Sequence, residues 1–557
     1  MDTNNEFSRW MRHVTDQELL LELKEMNGEQ KEDAFYRNLS FGTGGLRGVL
    51  GAGTNRMNIH VVAKASQGLS AYLFSLSEAP SVVIGYDSRI NSKRFAETAA
   101  GVFAANGIRV YLWKDLLPVP TVSFAVRKLG ASAGVMITAS HNPSKYNGYK
   151  VYGPDGCQIT TEAAKAIFAR IDVLDIFHDV KTMPFSEAVE SGRVSYIEDA
   201  VFTDYIEAVK NESVLYGDEV DRNVAIVYSP LNGTGLVPVT RVLQECGFTN
   251  ITVVEEQRDP DGTFPTCPYP NPEVPEAMEL GLAYCRTKGA DLLIATDPDC
   301  DRVGIAVKGP DGNYELLNAN ETGILLMDYV LSQRSAHQKM PAHPICAKTI
   351  VTTDLAESIA AHYGAELINT LTGFKFIGEA IGRLKNEHDF VCGIEESYGY
   401  LTGTYVRDKD GVNAAHMICE MFAFCHTRGI SLLDRLNELY DQYGYCLNLQ
   451  HSYDFPGSAG MEKMKSIMEK FRSGLTMIGG QPIVKTEDYS LGLHGLPKSN
   501  VVKFCFEGEH AEGSLVVRPS GTEPKLKCYC SVTAQDKETA AVMEAKLKAD
   551  IENLLNG

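Results

Sequence analysis

Three times along this chain a short apolar, β-rich run is followed by a polar, glycine-containing loop and a helix-like segment. The first series has an apolar run over 81–87, a helix-like stretch over 95–106 and a further run over 107–112. The second restarts at 223–228, passes the loop 229–235, and continues through 251–254 to 291–295. The third comprises 344–349, 365–370 and 389–393. Continuous apolar strands alternating with helices predict α/β units whose strands are buried and mostly parallel. The end of the chain differs. Residues 501–506 and 513–518 pattern as antiparallel strands, and 537–555 as a closing helix. The expected architecture is α/β: three similar α/β domains in series and a smaller C-terminal α+β domain, bounded at 1–205, 206–318, 319–445 and 446–557.

Length agrees, since 557 residues exceed what one hydrophobic core organises and point to about three to five domains. No apolar run reaches the roughly 18 residues of a membrane span. Residues 1–6 are polar and acidic, unlike a secretory signal. The 13 cysteines form no paired CxxC motif. Together these predict reduced thiols, a cytoplasmic protein and no membrane partner. Lys and Arg total 52 against 72 Asp and Glu, a net charge of −20, which disfavours nucleic acid as a partner. If the substrate is a phosphate ester, the site must reverse that field locally with Arg, Lys, metal or backbone N–H groups.

Four loops carry candidate chemistry. Thr138-Ala139-Ser140-His141-Asn142-Pro143 follows the apolar run 134–137, and Lys150 comes after an Asn147-Gly148 turn. A serine hydroxyl needs a base or a charged environment to react, and His141 and Lys150 are at hand. A plain polar turn accounts equally well for these residues alone. Asp297-Pro298-Asp299-Cys300-Asp301-Arg302 follows a buried run and sets three carboxylates at alternating positions. Hard oxygen ligands in that number favour Mg²⁺ completed by phosphate or water. Without a cation the three would repel. The glycine and closing glutamate of a calcium loop are absent. Cys300, between ligand positions, should turn away from the metal. Cys392-Gly393-Ile394-Glu395-Glu396-Ser397-Tyr398-Gly399 offers carboxylates suited to vicinal sugar hydroxyls, or else acidic residues opening a helix. Arg518-Pro519-Ser520-Gly521-Thr522-Glu523-Pro524-Lys525 has the composition of a phosphate cradle without Walker spacing. Residues 41–48 are glycine-rich around Arg47 but lack a preceding strand and dinucleotide spacing, which disfavours NAD. Lys375 and Lys409 each stand near a glycine, in loops that read singly as solvated.

In this chain order, the four loops resemble the four signatures of the α-D-phosphohexomutase superfamily, nearest to its phosphoglucomutases. Phosphomannomutases and phosphoglucosamine mutases usually differ at the second acidic position of the third loop. The resemblance spans nearly the whole chain. It implies a heart-shaped molecule of four domains around one cleft. It implies that Ser140 carries a phosphoryl group and that Asp297, Asp299 and Asp301 hold Mg²⁺ with a phosphoserine oxygen. Glu395 and Ser397 would grip the sugar. Arg518, Ser520, Gly521 and Thr522 would hold the non-reacting phosphate. Arg47, His141 and Lys150 match positions near the transferred group; Arg302, Thr372, Gly373, Lys375 and Lys409 match positions near the substrate. The implied reaction converts glucose 1-phosphate to glucose 6-phosphate through a glucose 1,6-bisphosphate intermediate that also acts as activator. The implied partners are small sugar phosphates, with the protein a monomer or homodimer.

Phosphopentomutase and phosphomannomutase activities are alternatives within the class. A non-catalytic sugar-phosphate-binding phosphoprotein and a metal-dependent phosphatase are alternatives outside it. His141, Lys150 and Lys375 all remain open as the general base.

Overall fold

The computed structural model describes residues 2–42, 44–455, 457–520 and 525–556. The chain divides into two compact units. One holds Met1–Leu317, Gly378–Glu387 and Gly399–Ala423, the other Asn318–Ile377, His388–Tyr398 and Phe424–Gly557.

The first unit contains two sheets. One is built from β1 (Phe41–Gly42), β2 (Gly45–Val49), β3 (Ser81–Tyr86), β4 (Arg109–Leu112), β5 (Ala133–Ile137), β6 (Tyr146–Tyr152) and β7 (Val194–Tyr196), in the order β1-β2-β6-β5-β3-β4-β7. The other uses β8 (Ile226–Ser229), β9 (Ile251–Val253), β10 (Leu292–Thr296), β11 (Val303–Lys308) and β12 (Tyr314–Leu317), ordered β12-β11-β10-β8-β9. β5, β3, β4 and β7 run parallel, as do β10, β8 and β9. The expected preponderance of parallel pairing needs correcting: β6 pairs antiparallel with β5, β2 with β6 and β1 with β2, and β11 pairs antiparallel with β10 and β12 with β11. The Asn147-Gly148 pair expected to turn lies inside β6. Asn147 is buried and its amide donates to the carbonyl of Ile90 and the hydroxyl of Ser92. At Gly148 a Cβ would stand 2.4 Å from the Thr138 carbonyl oxygen and 2.7 Å from that of Leu46, so neighbouring strands require glycine there. No strand precedes β1 among the described residues, in line with the reading of residues 41–48, and β1 and β2 pair antiparallel with each other. Trp10, Phe35, Val82, Ile84, Val135 and Ile137 share one core, and Val227, Leu293 and Ala295 another.

The second unit contains β13 (Ile345–Thr349) flanked in parallel by β14 (Glu366–Thr370) and β15 (Phe390–Glu395). Its C-terminal sheet is antiparallel, as expected, with β16 (Val502–Glu507), β17 (Ala511–Pro519) and β18 (Lys525–Ala534) at its centre. The helix Lys537–Asn556 covers it through Met543, Leu547 and Ile551. Ile350, Val351 and Leu371 pack with Tyr489, Val501 and Val516, joining the two parts of this unit.

His416 lies buried in the helix Gly411–Thr427, and burial holds its pKa down at about 4. The folded ring is therefore neutral, while the unfolded chain takes up a proton near pH 6.5. Stability is complete above pH 6.5 and declines as pH falls toward 4, by about 3 kcal/mol from this one ring. His416→Gln should flatten that part of the thermal-midpoint profile; an unchanged slope between pH 6.5 and 4.5 would refute the assignment.

Candidate functional site

The serine loop leaves β5 at its C-terminal end, where parallel strands present their loops. Ser140 is buried and adopts φ +54°, a left-handed conformation that costs an L-residue about 1 kcal/mol or more. Its N–H donates to Thr138 Oγ1 at 2.8 Å, and the Thr138 hydroxyl donates onward to Asp299 Oδ2 at 3.1 Å. The Ser140 hydroxyl donates to Asp297 Oδ2 at 2.9 Å and lies 3.1 Å from His141 Nδ1. The six residues that alone also suited a plain turn thus aim one hydroxyl at the acidic loop.

That acidic loop follows β10 in the same way. Asp297 Oδ1 accepts the N–H groups of Asp301 and Arg302, which wraps residues 297–302 around one carboxylate. Three other segments hold the loop's carbonyls: Thr234 donates to Pro298, Val119 to Asp299 and Gly411 to Cys300. Contact with Gly411 is close, for a Cβ there would fall 2.6 Å from the Cys300 oxygen. Cys300 sits at φ +51°, and its sulfur packs against Gly235 and Gly411.

Asp297, Asp299 and Asp301 are all buried, and one ligand oxygen from each lies within 4.8 Å of the others. Lys150 donates to Asp299 Oδ2 at 2.9 Å and Asp301 Oδ2 at 3.1 Å; Lys409 reaches Asp301 Oδ2 at 2.9 Å. Three carboxylates therefore face two ammonium groups. Burial, then the charges of Asp299 and Asp301, pushes Asp297 well above the carboxylate range. Burial also raises Asp301, but Lys150, Lys409 and Arg302 outweigh it and hold that group low. Asp299 Oδ1 and Asp301 Oδ1 are buried with no hydrogen-bond partner among the described residues. Free carboxylate oxygens, net negative charge and a hydroxyl alongside fit a small divalent cation of the Mg²⁺ type.

The surrounding groups divide by task. Desolvation by its surroundings, then the charges of Arg302 and Arg47, holds His141 well below its usual pKa, so the ring is neutral. Burial favours the neutral form of Lys150, but Asp299 and Asp301 prevail and raise its pKa. Arg47, on β2, donates to Asn142 Oδ1 at 3.1 Å. Arg302 pairs with Glu273, its Nε 3.9 Å from Asp301. Lys409 belongs to a loop anchored by buried Asp410, which accepts from the hydroxyls of Tyr205 and Tyr405 and from two backbone N–H groups.

The second unit holds the remaining candidates. Glu395, buried at the end of β15, accepts from Ser397 Oγ at 2.5 Å. No helix opens here; residues 396–398 form a turn. Glu396 is tied down by Thr349 at 2.6 Å and Thr352 at 3.0 Å. Thr372, in the loop after β14 with Gly373, keeps a buried hydroxyl without a hydrogen-bond partner among the described residues. Lys375 lies over the Phe376 ring. Arg518 lies on β17, and the Ser520 N–H donates to the Lys525 carbonyl at 2.7 Å. Gly521 and Thr522 lie outside the described residues.

Sequence comparison matches three descriptions, phosphoglucomutase/phosphomannomutase alpha/beta/alpha domains I, II and III, to residues 38–175, 203–312 and 318–443. The C-terminal domain of the same family matches 498–549. A phosphoglucomutase of Staphylococcus saprophyticus is 35% identical over 542 residues, 95% of this chain and 96% of that one. One from Staphylococcus epidermidis is 36% identical over 526 residues, 92% and 94% of the two chains. Among solved structures, a putative phosphomannomutase from Thermus thermophilus has a TM-score of 0.68 at 23% identity, covering 93% of this chain and 99% of its own. The open form of parafusin, a phosphoglucomutase from Paramecium, has a TM-score of 0.69 at 18% identity, covering 94% and 96%. With all four domain signatures in order and relatives matched end to end, the chain belongs to the phosphoglucomutase/phosphomannomutase family of α-D-phosphohexomutases, which are isomerases.

Proposed function

We propose that this protein interconverts glucose 1-phosphate and glucose 6-phosphate through phospho-Ser140 and a glucose 1,6-bisphosphate intermediate. The observation that carries this reading is the Ser140 hydroxyl at 2.9 Å from a buried carboxylate triad, in a chain whose relatives are named phosphoglucomutases. Asp297, Asp299 and Asp301 would hold Mg²⁺ together with the Ser140 oxygen or its phosphate. When bound, the cation supplies positive charge for the oxygens of the transferring phosphoryl group.

The free hydroxyl of glucose 1-phosphate attacks phosphorus as the bond to Ser140 Oγ breaks, and the proton that the hydroxyl gives up passes to Ser140 Oγ; when Ser140 later attacks the other phosphate of the bisphosphate, its proton passes to the sugar oxygen that leaves. His141, neutral and 3.1 Å from Ser140 Oγ, takes the serine proton when Ser140 attacks in turn and returns it in the reverse direction. Lys150, kept cationic by two carboxylates, is suited to stabilise charge and not to act as base. Glu395 with Ser397, Thr372, Gly373, Lys375 and Lys409 are assigned to the sugar phosphate, and Arg518, Ser520, Gly521 and Thr522 to the phosphate not in transfer. The domain limits 1–205, 206–318, 319–445 and 446–557 form part of this reading.

A coupled assay with a panel of sugar 1-phosphates tests it. kcat/KM should be highest for glucose 1-phosphate; a preference for ribose or mannose 1-phosphate would reassign the substrate. Ser140→Ala should take up no phosphate by intact mass and lose roughly three orders of magnitude of activity or more. Substantial remaining turnover would refute the phosphoserine route. Chelation should abolish turnover without unfolding, because Lys150 and Lys409 already offset much of the triad's charge. Mg²⁺ should restore activity and raise the thermal midpoint; collapse of the fold on chelation would count against that balance.

A further inference from the structure

Arg89 belongs to none of the four loops, yet its side chain spans the serine loop. It is buried in the first unit, just beyond β3. One guanidinium nitrogen donates to the carbonyls of Pro143 at 3.0 Å and Tyr146 at 3.1 Å, and the other to those of Ser140 and Asn142. Nε faces buried Asp87 at 3.5 Å, and the Asp87 carboxylate also accepts the Arg89 N–H and the Ser92 hydroxyl. The Phe264 ring covers the guanidinium at 5.1 Å. Four carbonyls within seven residues of chain thus converge on one planar cation. That convergence explains how Ser140 is kept in its left-handed conformation. A lysine could supply the charge but not a rigid fork for several acceptors.

We propose that Arg89 is a positioning residue for phosphoryl transfer, holding the backbone of residues 140–146 so that the Ser140 oxygen faces Asp297 and His141. The proposal rests on the mutase reading above and adds a residue to it. Because Arg89 acts through the serine backbone, its loss should slow transfer without weakening the grip on the sugar.

Arg89→Lys keeps the charge and removes the fork. Single-turnover transfer from glucose 1,6-bisphosphate to Ser140, and kcat, should each fall about 100-fold, the effect of roughly an ångström of misplacement. KM for glucose 1-phosphate should stay unchanged. A role confined to stability would lower the yield of active protein but not the transfer rate per active site. A wild-type transfer rate, or a loss confined to KM, would overturn the proposal. Should Arg89→Lys not fold, Asp87→Asn, which removes the counter-charge, is expected to show the same pattern about tenfold down; an unchanged rate would overturn the proposal equally. Wild-type protein that takes no phosphate onto Ser140 would refute the mutase reading instead. Hydrogen exchange then still tests Arg89: the amides of Ser140, Asn142 and Tyr146 should exchange faster in Arg89→Lys, and equal exchange would overturn the placement.

Discussion

Three carboxylates withdrawn from water against two ammonium groups form the constraint around which the first unit is organised. Burying like charges is strongly unfavourable unless opposite charge is built in beside them. Lys150 arrives from β6 and Lys409 from the loop before the helix Gly411–Thr427. Neither lysine is near the aspartates in sequence. The triad can therefore exist only if the antiparallel addition to the first sheet and the Asp410-anchored loop are both in place. The same imbalance makes a divalent cation the natural completion of the site.

The two adjacent glutamates of the third loop show how similar side chains are given different work. Glu396 accepts from two threonine hydroxyls near the end of β13, so its carboxylate is spent on fixing the turn. Glu395 has the Ser397 hydroxyl on one oxygen, 2.5 Å away, which orients the pair as a unit. A carboxylate held by a neighbouring hydroxyl is pre-organised to accept a further hydrogen bond, with less rotamer freedom to lose when it does.

Much of this was legible in the sequence, for a physical reason: in α/β folds the chemistry follows apolar strands, and strands are visible as apolar runs. Ser140 follows β5, Asp297 follows β10 and Glu395 closes β15, each just where such a run ends. The antiparallel strand β6 was hidden because its local signal conflicts with its tertiary role. Asn147-Gly148 is strong turn chemistry in isolation. Burial of the Asn147 amide and the crowding at Gly148 override it. The Lys150 and Lys409 contacts were illegible because strand pairing and loop anchoring, not spacing, bring them to Asp299 and Asp301. Arg89 carried the same positional signal as the recognised sites, a polar Asp-Ser-Arg step directly after an apolar strand, but no neighbouring motif drew attention to it.

Strain at Ser140 and Cys300 connects these points. Each has a left-handed backbone, each follows a buried strand, and each is held by hydrogen bonds from segments distant in the chain. A backbone conformation that L-residues disfavour persists only where its surroundings over-determine it. Around Cys300 the restraint comes from the Gly411 N–H, next to the residue that anchors Lys409. Around Ser140 it comes from the Arg89 guanidinium, the Thr138 hydroxyl and, through that hydroxyl, Asp299 itself. Serine loop and acidic loop are thus not two independent motifs that happen to meet. Thr138 and Lys150 bind both to Asp299, so a displacement of either loop changes the direction in which the other presents its oxygen atoms.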